Sequence, residues 1–192
     1  QYSDGDAASL AANVRIEAEG RFDAGGTLIA REIKFRTEGD TRIEATVDTV
    51  QAADNQITIL GISVAINSLT LLEDKSDQEL RPFTIDDIQP GDFLTIDGYE
   101  NNRAGAMVIA TKLERIDPED EVTLRSIAQN LDQPLFELLG VLISTSSQTE
   151  FSVDDTPVSA DAFFSGASDR TVEARGTLQG NTLNASEVEL ED

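Results

Sequence analysis

Hydrophobic and polar residues alternate along most of this chain with the two-residue period of β-strands. The alternation recurs in one motif, which we call the glycine hairpin. In it an alternating strand ends at a glycine, a short polar turn follows, and a second alternating strand carries an alanine near its middle. The motif occurs three times, with its glycine and alanine at Gly20 and Ala30, Gly98 and Ala110, and Gly176 and Ala185. The pattern predicts an all-β protein built by repetition.

A second kind of segment, which we call the opening segment, precedes two of the glycine hairpins, at residues 42–66 and 121–147. In the first copy, Ile43, Ala45 and Val47 alternate with polar residues, which predicts a strand with one buried face. After the turn at residues 52–55, residues 57–64 are nearly continuously apolar. Such a run is typical of a strand that is covered on both faces.

The spacing of the glycines supports an internal repeat. Gly61 and Gly140 are 79 residues apart (140 − 61), and Gly98 and Gly176 are 78 apart (176 − 98). A period that holds within one residue indicates two copies of one structural unit.

An opening segment and the glycine hairpin after it supply enough strands to close a small barrel, which leaves no exposed sheet edge. We therefore predict tandem small five- or six-stranded antiparallel β-barrels, similar in size to OB and SH3-like barrels, with an additional N-terminal β-hairpin. The predicted domains are residues 1–40, a polar tail with the extra hairpin; residues 41–117, the first barrel; and residues 118–192, the second barrel.

The extra hairpin leaves three arrangements open. It packs on the first barrel, or the boundaries are shifted so that the last hairpin is the spare one, or it completes an opening segment in another copy. Residues 1–12 lack any strand period and predict a tail. The candidates for the inward face of the hairpin are Val14, Ile16, Ala18, Leu28, Ala30 and Ile33.

Two irregular segments separate the opening segments from the hairpins that follow. Thr84 and Ser159 are predicted to N-cap single helical turns. The apolar residues of these turns, predicted to plug the barrel ends, are Ile85 and Ile88 in one and Ala162 and Phe163 in the other. Residues 89–92 read Gln-Pro-Gly-Asp, which predicts a turn into the next strand.

Charge excludes several partners. The chain carries 37 acidic and 14 basic residues, for a net charge of −23. Such a chain repels phosphate backbones and anionic lipid surfaces, so we expect no nucleic acid partner. No apolar run approaches the roughly 18 residues of a membrane helix, so we expect no membrane insertion.

The sequence has no Cys and no His, which removes thiol nucleophiles and the commonest general base. Paired carboxylates for glycoside hydrolysis need a cleft, whereas the acidic residues here lie mostly in predicted turns, and there is no Trp to stack on a sugar. We therefore expect no enzymatic activity. A start at Gln1 without Met or a signal-like segment predicts a processed product or a fragment. Together with the missing Cys it is compatible with an extracytoplasmic location, whether secreted, on the cell surface or in the periplasm.

Acidic clusters are the remaining candidate chemistry. Calcium sites need several converging oxygens, and the segment between the predicted barrels supplies Asp117, Glu119 and Asp120. These three residues are the calcium candidate, where an ion would stiffen the joint. Solvated turns in an acidic protein are the interpretation that we favour. No other cofactor is expected.

The motifs ITILGISV, FTIDDIQPGDFLTIDGY and GAMVIATKLERI resemble the bacterial repeat family catalogued as domain of unknown function 5666. The resemblance covers residues 43–116 closely. It covers residues 122–191 more loosely, because Ser168-Asp169 replaces the usual Gly-Asp, and residues 14–35 only as the closing hairpin of a unit. It implies a small β-barrel, usually in tandem, in exported bacterial proteins. It supplies no activity and no functional residues.

Two hypotheses about function follow. The first is an extracytoplasmic structural module that assembles with other copies of itself or with an extracellular protein, by donating the spare strand or hairpin to a neighbouring sheet. The odd number of glycine hairpins motivates it. The second is a binding module for a peptide, a glycan or a calcium ion.

Overall fold

The computed structural model of the chain describes residues 2–3, 16–23, 25–35, 40–101 and 107–191. These residues form an all-β fold with a single α-helix. The expectations for Val14, for residues 4–12 of the tail and for residues 36–39 fall outside the described residues. The strands are β1 (Tyr2–Ser3), β2 (Ile16–Phe22), β3 (Leu28–Phe35), β4 (Thr41–Gln51), β5 (Gln56–Ile59), β6 (Ile62–Ala65), β7 (Leu71–Asp74), β8 (Phe93–Glu100), β9 (Val108–Ile116), β10 (Val122–Ile127), β11 (Gln129–Asp132), β12 (Leu135–Leu138), β13 (Val141–Ser144), β14 (Glu150–Val153), β15 (Thr156–Pro157), β16 (Thr171–Gln179) and β17 (Thr182–Glu191), and the helix is α1 (Ala160–Gly166).

Five of these strands close a barrel. β4 pairs antiparallel with β5, and β5 with β6; β6 then pairs with β9, β9 with β8, and β8 returns to β4. A closed barrel of five strands was predicted, but the prediction that all its strands are antiparallel is wrong. β6 and β9 run parallel, with Val64 opposite Val108. The opening segment was expected to form two strands but forms three, β4, β5 and β6. The third strand runs in the same direction as β9, so these two strands pair parallel.

The third strand arises from a reversal at Leu60 and Gly61. Their φ angles are 55° and 74°, so the chain turns sharply and divides residues 57–64 into β5 and β6. The expectation of one strand covered on both faces is therefore wrong. Burial alternates along each short strand instead. The carboxylate of Asp48 accepts a hydrogen bond of 2.9 Å from the Gly61 amide, which holds the turn against β4.

The core consists of branched aliphatic side chains with a few phenylalanines. Ile43, Ala45 and Val47 of β4 are buried, as their alternation predicts. Their neighbours Arg42 and Glu44 are half-buried and Thr46 and Asp48 are exposed, so one face of β4 lines the barrel interior.

Both predicted helical turns form. Thr84 caps the 3-10 turn Ile85–Asp87 with a reciprocal capping box. Ser159 caps α1, whose seven residues exceed the single turn that the sequence predicts.

The apolar residues of these turns bear out the plug prediction in part. Ile88 and Phe163 are buried, as predicted, and Ile85 is half-buried. Ala162 is exposed, contrary to prediction. The helix turns Phe163 inward onto Phe136 and Phe151, with ring centroids 5.9 and 5.2 Å away, and Ala162 consequently faces solvent.

The strands of the C-terminal half pair in a similar order. β11, β12 and β13 are successive antiparallel neighbours, β13 runs parallel to β17, and β17 and β16 are antiparallel. β16 then pairs with β10, which is separated from β11 by Ala128 alone. β10 also pairs with β4, with Leu124 opposite Ile43, so one continuous sheet connects the two halves.

Candidate functional site

The three glycine hairpins share one backbone distortion. In each, the pairing register slips by one residue at the glycine, at Gly20, Gly98 and Gly176. A Cβ at these positions would lie 2.2, 2.4 and 2.1 Å from a carbonyl oxygen of the facing strand. Only glycine allows the strands to approach this closely, so each glycine marks a β-bulge.

The bulge corrects one detail of the sequence interpretation. The first strand of the hairpin was expected to end at the glycine. It continues instead to Phe22, Glu100 and Gln179 in the three copies. The glycine therefore lies inside a strand, and the turn comes after it.

A short strand runs parallel to the second strand of each hairpin. Its position is the same in all three copies, because its partner in the second strand lies three residues after the alanine of the motif (33 − 30, 113 − 110 and 188 − 185). The equivalent pairs are Tyr2 with Ile33, Leu72 with Leu113, and Phe151 with Val188. Residues 2–3 are thus a strand, and the prediction of a tail is wrong for them.

Strands β1, β2 and β3, which we call the N-terminal sheet, therefore repeat the arrangement of β7, β8 and β9. They also repeat that of β14, β16 and β17. Among the described residues, the strands of the N-terminal sheet pair only with one another. The N-terminal sheet therefore contains a glycine hairpin and its parallel flanking strand, and none of its described strands corresponds to an opening segment.

Burial separates the N-terminal sheet from its two counterparts. We call the surface formed by Ala18, Phe22, Leu28, Ala30 and Ile33 the open face. Leu28 is 37% exposed and Phe22 72% exposed, Ala18 and Ala30 are exposed, and Ile33 is half-buried. The prediction that Ala18, Leu28 and Ala30 face a covered interior is therefore wrong for this chain, since no described strand covers them.

Four of these five positions are buried in the other two glycine hairpins, whereas the counterparts of Phe22 are the half-buried Glu100 and the exposed Leu178. The counterparts of Ala18, Leu28, Ala30 and Ile33 are all 7% exposed or less; they are Ile96, Val108, Ala110 and Leu113 in β8 and β9, and Ala174, Leu183, Ala185 and Val188 in β16 and β17. In the barrel, β4 pairs with β8 and β6 pairs with β9, so the opening segment closes the sheet and these residues face its interior. The open face is therefore the surface that an opening segment covers elsewhere in the same chain.

The opposite surface of the N-terminal sheet is charged. Arg31 and Glu19 form an ion pair of 2.5 Å across the strands. Ile29 lies beside them and is 48% exposed, and a shallow hollow of about 400 Å³ lies between these side chains. An exposed pair of this kind contributes little stability, but it distinguishes the two faces of the sheet.

A buried ion pair lies inside the first half of the molecule. Arg115 and Asp74 are in contact, with side chains only 5% and 0% exposed. Asp74 also accepts a hydrogen bond of 2.8 Å from the Leu80 amide, and the Arg115 guanidinium lies 4.8 Å from the centre of the Phe83 ring. Donation from Arg115 holds the pKa of Asp74 far below its usual range. The pair fastens the long connection between β7 and β8 to the barrel, and its burial points to a structural role.

Polar groups concentrate where β4 and β10 join. Asp97 is buried and lies 3.3 Å from the Arg42 guanidinium. On the other side of the joint, Arg125 of β10 approaches Glu173 at 3.9 Å. Burial raises the pKa of both Asp97 and Glu173, because desolvation disfavours their charged forms. The joint is therefore a sheet contact surrounded by partly desolvated charges.

The calcium candidate lies near this joint. Asp117 accepts a hydrogen bond of 3.1 Å from the Asp77 amide, and Asp117, Glu119 and Asp120 are all exposed. Within residues 107–191 and the other described ranges, no group of three or more carboxylates is placed to hold a metal ion. The fold connects the two halves through the pairing of β4 and β10.

A groove of about 670 Å³ lies in the C-terminal half, between β14, β15 and the start of α1. Its polar lining residues include Ser147, Ser152, Glu150 and Glu187, and Phe151 is among its apolar ones. This groove could not be predicted from the sequence, because its lining comes from segments up to 41 residues apart (187 − 146).

These features define the class of the protein: a β protein with a five-stranded barrel, in which a bulged hairpin with a parallel flanking strand occurs three times. The sequence matches the family described as "Domain of unknown function (DUF5666)" over residues 1–34, 42–114 and 126–189, and the chain belongs to this family. No curated protein and no solved structure matches the chain. No helix among the described residues is long and apolar enough to cross a membrane.

The main feature that sequence reasoning missed is the strand at Tyr2–Ser3. Its counterpart Leu72 precedes the hairpin glycine by 26 residues (98 − 72), whereas Tyr2 precedes it by only 18 (20 − 2). A two-residue strand carries no periodicity of its own. The residue spacing therefore offered no signal by which Tyr2 could be aligned with Leu72.

Proposed function

We propose that the chain is a non-enzymatic extracytoplasmic structural module of tandem small barrels, which assembles with another polypeptide through its N-terminal hairpin. In this proposal residues 41–117 and 118–192 are the two barrels, and residues 1–40 carry the additional hairpin. The pairing order of the C-terminal half supports the second barrel. If β10 and β11 act as one strand through Ala128, the sequence of contacts repeats that of the first.

The open face is the observation that carries the assembly role. Its residues are apolar, and four of the five equivalent residues in each of the other two hairpins are buried. Burial of apolar surface stabilises the other two hairpins by about 25 cal/mol for each Å² removed from water, and the open face does not gain this free energy while it is exposed. Contiguous apolar surface of this kind marks interaction sites. The partner is another copy of the chain or an extracellular protein.

Net charge sets the conditions under which such contacts form. At −23, two copies repel each other over about 30 Å at 0.01 M salt. At about 0.15 M salt the screening length falls to about 8 Å, and short-range apolar contacts then dominate. We therefore expect association through the open face to strengthen as salt is added.

Light scattering on size-exclusion fractions tests the assembly role. The chain is run over a wide concentration range beside a chain lacking residues 1–38 and two matched variants, Leu28→Asp and Ile29→Asp. Leu28 lies on the open face and Ile29 on the charged face of the same strand. We expect multimers for the parent chain and Ile29→Asp, and monomers for Leu28→Asp and the truncated chain.

Two results would overturn assembly between copies of the chain and would leave an extracellular protein as the partner to test. One is a monomer for every chain at all salt and protein concentrations. The other is association that persists in Leu28→Asp and in the truncated chain, because the contact would then lie elsewhere.

The groove beside β14 supports a second candidate function, a binding module for a peptide, a glycan or a calcium ion. Its hydroxyl and carboxylate lining suits a polar or cationic ligand. Calorimetric titration with calcium, short peptides and oligosaccharides tests it. Saturable binding to a monomer that is lost in Glu150→Gln/Glu187→Gln favours this candidate, and absence of binding rejects it.

A further inference from the structure

We infer that the groove beside β14 binds a peptide through an arginine side chain, whose guanidinium lies between the carboxylates of Glu150 and Glu187. The inference rests on the second candidate function, the binding module, and specifies its ligand. The open face takes no part in it.

Two carboxylates lie side by side at this groove. Glu150 of β14 and Glu187 of β17 are directly opposite each other in the parallel pairing of these strands. Neighbouring strands are about 4.8 Å apart, so the two side chains leave the same face of the sheet close together. Both residues are exposed, and both line the groove. Like charges in directly opposite positions repel each other, so a cation placed between them is stabilised by both.

The chain itself supplies no cation to this pair. Arg175 of β16 lies opposite Glu187, but its guanidinium pairs with Glu121 at 2.8 Å. Among the described residues, no side chain forms an ion pair with Glu150 or Glu187. The two carboxylates are therefore available to a cation from outside the chain.

The fold does not require acidic residues at these two positions. The equivalent pair in the first half of the molecule is Leu71 and Lys112, which are directly opposite each other in the parallel pairing of β7 with β9. Lys112 forms an ion pair of 3.0 Å with Glu114. An apolar residue and a base thus take the places of Glu150 and Glu187. The facing carboxylates are a property of the second half alone among these two copies.

The groove is open because the segment after β14 is held differently from its counterpart. In the first half, the buried pair of Asp74 and Arg115 fastens the segment after β7, and Asp74 accepts a hydrogen bond from the Leu80 amide. The equivalent residues of the second half are Val153 and Leu190, which are likewise directly opposite each other. This apolar pair offers no such hydrogen bonds. The chain after β14 folds back as β15 instead, and the groove lies between this hairpin and the start of α1.

The remaining walls of the groove suit a peptide. Its apolar lining includes Phe151, Pro157 and Val158, against which the methylene groups of an arginine and an apolar neighbouring residue can pack. The volume of about 670 Å³ lies within the range of about 300–1,000 Å³ that is typical of ligand sites.

The same lining disfavours the other ligands of a binding module. None of the described lining residues is Trp or Tyr, so a glycan finds no such ring on which to stack. Calcium takes about six to eight oxygen ligands, and no group of three carboxylates within the described ranges is placed to hold a metal ion. A cationic peptide is the occupant whose charge complements the groove.

Arginine fits the two carboxylates better than lysine does. A guanidinium presents its N–H donors in a planar fork, so it can donate to both carboxylates at once, whereas an ammonium group acts as a point charge. The net charge of −23 also attracts a cationic peptide. We therefore expect an arginine peptide to bind more tightly than a lysine peptide, and a peptide with neutral citrulline in its place not to bind.

The probe is a tetrapeptide of sequence Ala-Arg-Leu-Ala with both ends blocked. It is titrated into the isotope-labelled full chain while amide chemical shifts are followed by NMR, beside the lysine and citrulline peptides. We expect saturable shifts at Glu150, Ser152 and Glu187. The Kd should rise about threefold to tenfold in Glu150→Gln and in Glu187→Gln, and further in the double variant. Added salt should weaken binding.

Glu119→Gln is the matched control. It removes the same charge from an exposed residue that does not line the groove, so the Kd of the arginine peptide should stay unchanged. Glu150 and Glu187 are exposed too, and urea unfolding followed by circular dichroism verifies that their variants fold. Equal Kd values for the arginine and citrulline peptides, or for the parent chain and Glu150→Gln/Glu187→Gln, would refute the guanidinium site.

The outcomes separate this inference from the candidate function on which it rests. If calcium or an oligosaccharide binds, and Glu150→Gln/Glu187→Gln loses that binding while the arginine peptide never binds, the binding module survives and its ligand is wrong. If none of the probes binds the parent chain, both are refuted.

Discussion

The bulge at Gly98 offers the sharpest test of the packing described above. A Cβ added there would lie 2.4 Å from the carbonyl oxygen of Ile109 and 3.1 Å from a methyl carbon of Val108. The first contact is with backbone, so no side-chain rotation relieves it. Gly98→Ala must therefore separate β8 from β9 at the position where both face the core.

The expected loss is large for one methyl group. Overpacking typically costs about 1–3 kcal/mol, and the backbone clash places Gly98→Ala at the upper end, about 3 kcal/mol. With a urea dependence of about 2 kcal/mol per M, the midpoint should fall by about 1.5 M. Circular dichroism and the fluorescence of the neighbouring Tyr99 both report this transition.

Two other glycines serve as controls. Gly166, at the end of α1, has nothing closer than 3.7 Å to its added Cβ, so Gly166→Ala should be neutral or stabilise by about 0.5–1 kcal/mol. Gly20→Ala repeats the clash in the N-terminal sheet, at 2.2 Å, and should disturb that sheet without lowering the midpoint of the barrel. An unchanged urea midpoint for Gly98→Ala would refute the close approach of these strands.

Three further predictions concern buried groups. Arg115→Met leaves the Asp74 carboxylate buried without its partner and should cost about 3–5 kcal/mol, while Arg115→Met/Asp74→Leu recovers part of this loss; equal urea midpoints for the single and double variants would contradict a coupled pair. Ile59→Asp or Val108→Asp should unfold the barrel, since an unpaired buried charge costs several kcal/mol, and a soluble folded double variant seen by circular dichroism would oppose the barrel assignment. The pKa of Asp97 and of Glu173 is raised by burial, so these groups disfavour the folded state at neutral pH and cease to do so as pH falls through their folded and then unfolded pKa values. Asp97→Asn/Glu173→Gln should therefore show a smaller rise in urea midpoint than the parent chain between pH 7 and about pH 4, and identical profiles would contradict the burial of these carboxyl groups.

The alternation of Ile43, Ala45 and Val47 predicted the inward face of β4 because successive side chains of a strand point to opposite faces, and only one of these faces lines the core. The caps at Thr84 and Ser159 could be predicted for a similar reason, since their hydrogen bonds are local. The turn at Leu60 was missed because leucine rarely adopts a positive φ, and here tertiary packing of its neighbours overrides that preference. The exposure of the open face could not be predicted from the sequence for a different reason. Ala18 and Leu28 alternate like buried residues, and only the pairing of whole strands shows that the described strands do not close a barrel around them.

The pairing of β4 with β10 has a mechanical consequence. Residues 42–44 of β4 are hydrogen-bonded to β8 along one edge and to β10 along the other. Tension applied across the two halves therefore acts directly on the wall of the first barrel. A flexible linker would absorb such a load by extending, whereas this strand transmits it as shear between hydrogen-bonded neighbours. Under force, the first barrel and the joint should yield in one step.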